Sequence, residues 1–111
     1  RPSAETGPVS LAELTAREAP GARVVGALHT VSARGLADLE HELDEDTLLC
    51  GDDPDAKARV AELCSALVAG RVVDCGPLET SRWLEPLTAV LIHVNRRYRA
   101  NSGIRITGLP E

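Results

Sequence analysis

The sequence predicts an α/β fold, a layered sheet with helices packed on it. Three observations carry this expectation. Short apolar, β-branched runs alternate with longer stretches whose apolar residues recur at helical spacing. Aromatic content is only 2% of the 111 residues, Trp83 and Tyr98 with no Phe. The core therefore has to be built of Val, Leu, Ile and Ala, which suits a parallel sheet covered by helices. Turn-forming clusters at Pro20-Gly21, Gly51 to Pro54, Gly76-Pro77 and Asn101 to Gly103 separate the runs.

The elements follow in order. Ser10 with Glu13 three residues later is a capping box, and Pro20-Gly21 closes the helix it opens. Arg23–Thr30, apolar and β-branched at its start, reads as a buried strand. Ala33–Leu43 is a polar, acid-rich connection or a short helix, containing the solvated His41. Thr47–Cys50 is a second short strand. Asp53 suits a helix N-cap and Pro54 the first helical position. Ala56, Val60, Leu63, Cys64 and Leu67 form one apolar face of that helix, and Gly70 ends it. Arg71–Cys75 is a third strand. Pro77 to about Ala100 is a long helix whose stripe is Leu84, Leu87, Leu91 and Val94, widened by Trp83 and Val90. Ile104–Leu109 is a last strand. A domain of this kind that opens on a helix is expected to be the second half of a larger unit.

Charge and composition exclude several classes. Net charge is -5 with pI about 5.2, and the basic residues are scattered, so nucleic acid and anionic membranes are poor partners. No apolar run approaches the roughly 18 residues of a membrane helix, and the first ten residues have no signal-peptide core. Cys50, Cys64 and Cys75 are odd in number and form no CxxC pair. Neither a disulfide framework nor a metal site is expected, and buried free thiols fit a cytoplasmic protein.

Cys75 to Thr88, CGPLETSRWLEPLT, is too polar for a helix that only fills a core. It carries Glu85, Pro86 and Thr88. Glu85 reads as a structural acid paired with Arg82, with a proton-handling role as the alternative. Thr88 either bonds back within its own helix or faces a ligand. His29, at the end of an apolar strand, is either a ligand group at the carboxyl edge of the sheet or a histidine bonded to a nearby carbonyl. Asp52-Asp53 is a helix cap sooner than a metal site. Trp83 is expected in the core or at a subunit interface, and His93 in a structural or interfacial place. The nine glycines form neither a GxGxxG nor a P-loop.

Three blocks together carry a resemblance: VVGALHTV at 24–31, LLCGDDPDAKARVAEL at 48–63 and VDCGPLETSRWLEPLT at 73–88. In this order and spacing, over about residues 22–107, the chain resembles the second half of the coenzyme F420-dependent NADP oxidoreductases. The resemblance implies the second half of a Rossmann-like doubly wound sheet plus a small C-terminal helix-strand region. The N-terminal glycine-rich nucleotide unit is absent. Residues 1–45 would end the Rossmann-like part and 46–111 would form the deazaflavin side.

The implied reaction passes a hydride between NADP(H) and an 8-hydroxy-5-deazaflavin, coenzyme F420. Positioning of two cofactors, with no catalytic nucleophile or metal, is what the protein supplies. His29, Thr30, Val31 and Thr88 match the family's deazaflavin site, with His29 as the candidate orienting group. The implied partners are the two small-molecule cofactors, an N-terminal Rossmann half and a second copy in a homodimer. The alternative is a non-catalytic binding or dimerisation module that keeps the fold without the nucleotide site.

Overall fold

The structure, a computed structural model, describes residues 8–31 and 43–110. Its elements are α1 (Leu11–Glu18), β1 (Val25–Ala27), β2 (Thr47–Gly51), α2 (Pro54–Ser65), β3 (Val72–Asp74), a single 3-10 turn (Leu78–Thr80) and α3 (Ser81–Tyr98). The α/β expectation holds. The connection expected over Ala33–Leu43 lies, apart from Leu43, outside the described residues, as does His41.

Both predicted caps form. The Ser10 hydroxyl accepts from the Glu13 amide at 3.0 Å while the Glu13 carboxylate accepts from the Ser10 amide at 3.0 Å. Asp53 accepts from the Ala56 amide at 2.8 Å, with Pro54 at the start of α2. Each cap satisfies donors that a helix start leaves without intrahelical partners.

The sheet has three strands in the order β1-β2-β3. β2 and β3 run parallel, pairing Leu48 with Val73. β1 runs antiparallel to β2, pairing Gly26 with Cys50, so the expectation of a parallel sheet is corrected to a mixed one. β1 is also shorter than the predicted Arg23–Thr30. Leu28 adopts a left-handed backbone with φ 64°, which takes His29 and Thr30 out of the ladder and into a turn.

Helices cover both faces. On one, Leu48 and Cys50 pack with Leu78 of the 3-10 turn and Leu84 of α3, and with Ala12, Ala16, Val73, Leu87, Ile104 and Ile106 around them. Fully burying one such leucine contributes about 2 kcal/mol. On the other, Leu49 and Val72 meet Pro54, Lys57 and Ala61 of α2 around a small cavity.

Three helix and strand expectations shift. α2 ends at Ser65, five residues before Gly70. Its buried face is turned from the predicted one: Cys64 is buried, but Leu63 is 71% exposed. Lys57 lies against the sheet instead, its stem inward and its ammonium 3.1 Å from Asp74. α3 begins through the 3-10 turn and not directly at Pro77. Ile104–Leu109 forms no strand, only a single bridge between Ile104 and Asp46. Side chains hold that segment. Asp46 accepts from the amides of Arg71 at 2.6 Å and Ile106 at 2.7 Å, and Arg71 donates to the Ile106 carbonyl at 2.7 Å.

Candidate functional site

The turn that ends β1 brings the predicted residues together. Thr30 and Val31 are buried, and the Val31 amide closes the turn on the Leu28 carbonyl at 3.2 Å. Across from it, Thr88 of α3 donates its hydroxyl to the His29 carbonyl at 2.5 Å. His29, Thr30, Val31 and Thr88 therefore form one junction between the end of a strand and the middle of a helix. Thr88 does not bond back within α3, the alternative the sequence left open. It reaches across 59 positions of sequence.

His29 also owes its place to a residue the sequence reading passed over. A Cβ on Gly26 would lie 3.2 Å from His29 Cε1 and 3.2 Å from Cys50 Sγ. The absence of a side chain at Gly26 leaves the space over β1 that the imidazole and the Cys50 thiol both approach. The available signal was a glycine inside an apolar strand, a frequent mark of close approach. Burial holds the His29 pKa below its ordinary value, and the Glu85 carboxylate opposes that shift.

Two polar atoms of this turn, His29 Nδ1 and Thr30 Oγ1, are buried with no hydrogen-bond partner. Buried polar atoms are rarely left this way. The pair is the kind of unsatisfied edge that a polar ring or amide of a bound molecule completes.

Glu85 differs from its expected pairing. Its two oxygens accept from the amides of Leu11 at 2.8 Å and Ala12 at 3.0 Å, at the start of α1. Arg82 grips Glu13 through two bonds of 2.7 and 2.8 Å, with Glu79 3.8 Å away. The acid is structural as predicted, but its partner is the helix terminus and not Arg82. The Glu13–Arg82 pair was missed because its members are 69 positions apart. The Ser10 and Ser81 hydroxyls meet at 2.5 Å in the same joint.

The remaining candidates sort plainly. Asp52 accepts from the Leu78 amide at 3.0 Å and Asp53 caps α2, so both aspartates are engaged structurally. Among the described residues no group of three His, Cys, Asp or Glu side chains could hold a metal ion. Gly76 has φ 101°, and its amide donates to Asp74 at 2.9 Å in the tight turn expected after β3. Cys50 and Cys64 are buried free thiols, and Cys75 is partly buried. Trp83 is 59% exposed, which excludes the core, the first of its two expected places, and not the subunit interface. His93 is exposed. No helix among the described residues is long and apolar enough to cross a membrane.

A mixed sheet with helices on both faces, and a buried polar turn where a strand ends, defines an α/β module of the layered type. No family model matches the chain. Its relatives are specific all the same. It is 40% identical over 101 residues to the F420-dependent NADP reductase of Methanocaldococcus jannaschii, covering 90% of this chain and 45% of that protein. It is 42% identical over 105 residues to the F420-dependent NADP reductase of Methanothermobacter marburgensis, covering 92% of this chain and 47% of that protein. A crystal structure of a candidate F420-dependent NADP reductase from Arthrobacter sp. FB24 matches with TM-score 0.79 and 33% identity, over 89% of this chain and 46% of that one. The resemblance to this family, drawn from the three sequence blocks, therefore holds along nearly the whole chain. The chain spans less than half the length of the relatives it matches.

Proposed function

We propose that this chain forms the deazaflavin-facing part of an oxidoreductase that transfers a hydride between NADP(H) and coenzyme F420. One observation carries the reading. The residues that the family resemblance assigns to the deazaflavin site converge in space, and two buried polar atoms among them, His29 Nδ1 and Thr30 Oγ1, lack partners. On this reading residues 1–45 belong with the Rossmann-like part and 46–111 with the deazaflavin side. The glycine-rich turn that would hold the NADP pyrophosphate is not among these 111 residues, so NADP would be bound by a Rossmann unit outside this sequence.

The bound cofactors supply donor and acceptor carbons for the hydride. The chain contributes position. Val31 offers apolar contact at the turn. His29 and Thr30 offer polar atoms to a ligand edge. Thr88 spends its single proton on the His29 carbonyl, so it can only accept from a ligand. No residue here has to gain or lose a proton for hydride transfer.

Titrating coenzyme F420 against the chain, followed by its absorbance and fluorescence, tests the reading. Saturable binding is expected, with turnover of NADPH only when a Rossmann half is added. Absence of both sinks it. The exposed flank of α3, with Trp83 and Val90 two turns apart on one side, favours a second component of the reading, a symmetric homodimer. Sedimentation that stays monomeric at high concentration would exclude the dimer. A chain that dimerises and binds no cofactor would point to the non-catalytic module instead.

A further inference from the structure

We propose that Glu85 is a positioning residue for the His29 turn: its carboxylate closes the N-terminus of α1 onto α3, one helical turn before Thr88 holds the His29 carbonyl. The accounting of donors at the start of α1 points to this. A helix leaves its first four amides without intrahelical partners. Here Ser10 donates to the Glu13 carboxylate, Leu11 and Ala12 donate to Glu85, and Glu13 donates to the Ser10 hydroxyl. Half of the cap thus comes from a residue more than 70 positions away. The negative carboxylate also meets the positive end of the α1 dipole.

The consequence for the site comes through one ridge of α3. Ser81, Glu85 and Thr88 follow one another at helical spacing and reach Ser10, the α1 terminus and the His29 carbonyl. α1 in turn lays Ala12 and Ala16 on the core that contains Cys50, the thiol that shares the space above Gly26 with the imidazole. Loosening the α1–α3 joint therefore loosens the surface on which His29 rests. Among the described residues Glu85 is the charged group that bears on the ring, and Cys50 is the titratable group that approaches the same space above Gly26. The thiol is held protonated by burial, which leaves the Glu85 carboxylate to favour imidazolium against the desolvation that opposes it.

The effect on ligand binding rests on reading the turn as the deazaflavin wall; the joint itself does not. The test uses the 111-residue chain with Glu85→Gln, and reads three quantities. In E85Q, exchange of the Leu11 and Ala12 amides should accelerate about tenfold or more. His29, followed by its Cε1 proton, should titrate at lower pH than in the wild type. The coenzyme F420 dissociation constant should rise about tenfold. Unchanged amide protection and an unchanged His29 midpoint in a folded E85Q overturn the proposal. If E85Q does not fold, Glu85→Asp keeps the charge but shortens the reach. It should lose amide protection while His29 titrates close to the wild type, and E85D with full protection overturns the proposal equally. Wild-type chain that binds no F420 defeats the site reading alone, because exchange and the His29 titration are measured without ligand.

Discussion

Neutralising Glu13 should remove a stability term that exists only above acid pH. Glu13 and Arg82 form a bidentate pair whose side chains are only 14% and 7% exposed. The guanidinium bond is the main cause that holds the Glu13 carboxyl at about 2, down from 4.5, against the opposing pull of burial. A folded-state pKa below the unfolded one adds stability at pH above the unfolded value, and that stability drains away as pH falls from about 4.5 towards 2. The full drop would correspond to about 3 kcal/mol. The pair lies under the first turn of a surface helix, and solvent screening brings the expected contribution to about 1–2 kcal/mol. The assay is urea unfolding of wild type and Glu13→Gln at several pH values between 7 and 2. Gln retains an oxygen for the Ser10 amide, so the capping box is kept. E13Q should be less stable by about 1–2 kcal/mol at pH 7, and the gap should close as pH approaches 2. The carboxyls of Asp46 and Asp74, also held low by hydrogen bonds, titrate in both proteins and cancel in the difference. A gap that stays constant across this range would refute the assignment.

Asp46→Asn leaves one carbonyl oxygen to serve the two amides of Arg71 and Ile106, and should cost about 2–3 kcal/mol in urea unfolding. Hydrogen exchange should show the 104–106 segment released first. Gly70→Ala would place a Cβ 2.3 Å from both the Glu45 carbonyl oxygen and Asp46 Oδ1. A loss of about 1–3 kcal/mol by overpacking is expected, read as a lowered Tm. Thr88→Val keeps the shape and removes the bond to His29, costing about 1 kcal/mol of stability. On the proposed function it should also weaken coenzyme F420 binding in a fluorescence titration.

Local chemistry was legible and long-range chemistry was not. Ser10 with Glu13, three residues apart, and Asp53 with the adjacent Pro54 specify helix starts through near neighbours, and both formed as read. Composition indicated a buried sheet but says nothing of strand direction, so the antiparallel β1 was out of reach. The α2 face was misplaced because Lys57 counts as polar, although its stem packs on the sheet while Leu63 points to water. Ile104–Leu109 had a strand's alternation, yet Asp46 and Arg71 took its backbone bonds. The four site residues were named through the three-block resemblance, since the 59-position bond from Thr88 to His29 has no local signal.

The polar excess of α3, the feature that set this segment apart in the sequence, resolves into a division of labour. Ser81 donates to the Leu78 carbonyl and meets Ser10, Arg82 and Glu85 are bonded to α1, and Thr88 donates to His29. These side chains are spent within the protein. Of the four buried side-chain atoms without a partner among the described residues, two lie opposite, on His29 and Thr30, and the others are on Glu45 and Thr47. A ligand at this junction would take its polar recognition from the β1 turn, and α3 would act by fixing that turn in place. Substitutions on α3 should then act on affinity through the geometry of His29. Changing Thr30, whose hydroxyl holds no partner in the fold, should alter affinity at little cost in stability. Measuring both quantities for Thr30→Val and T88V separates the two roles. A Thr30→Val variant that loses as much stability as T88V and no F420 affinity would contradict this division.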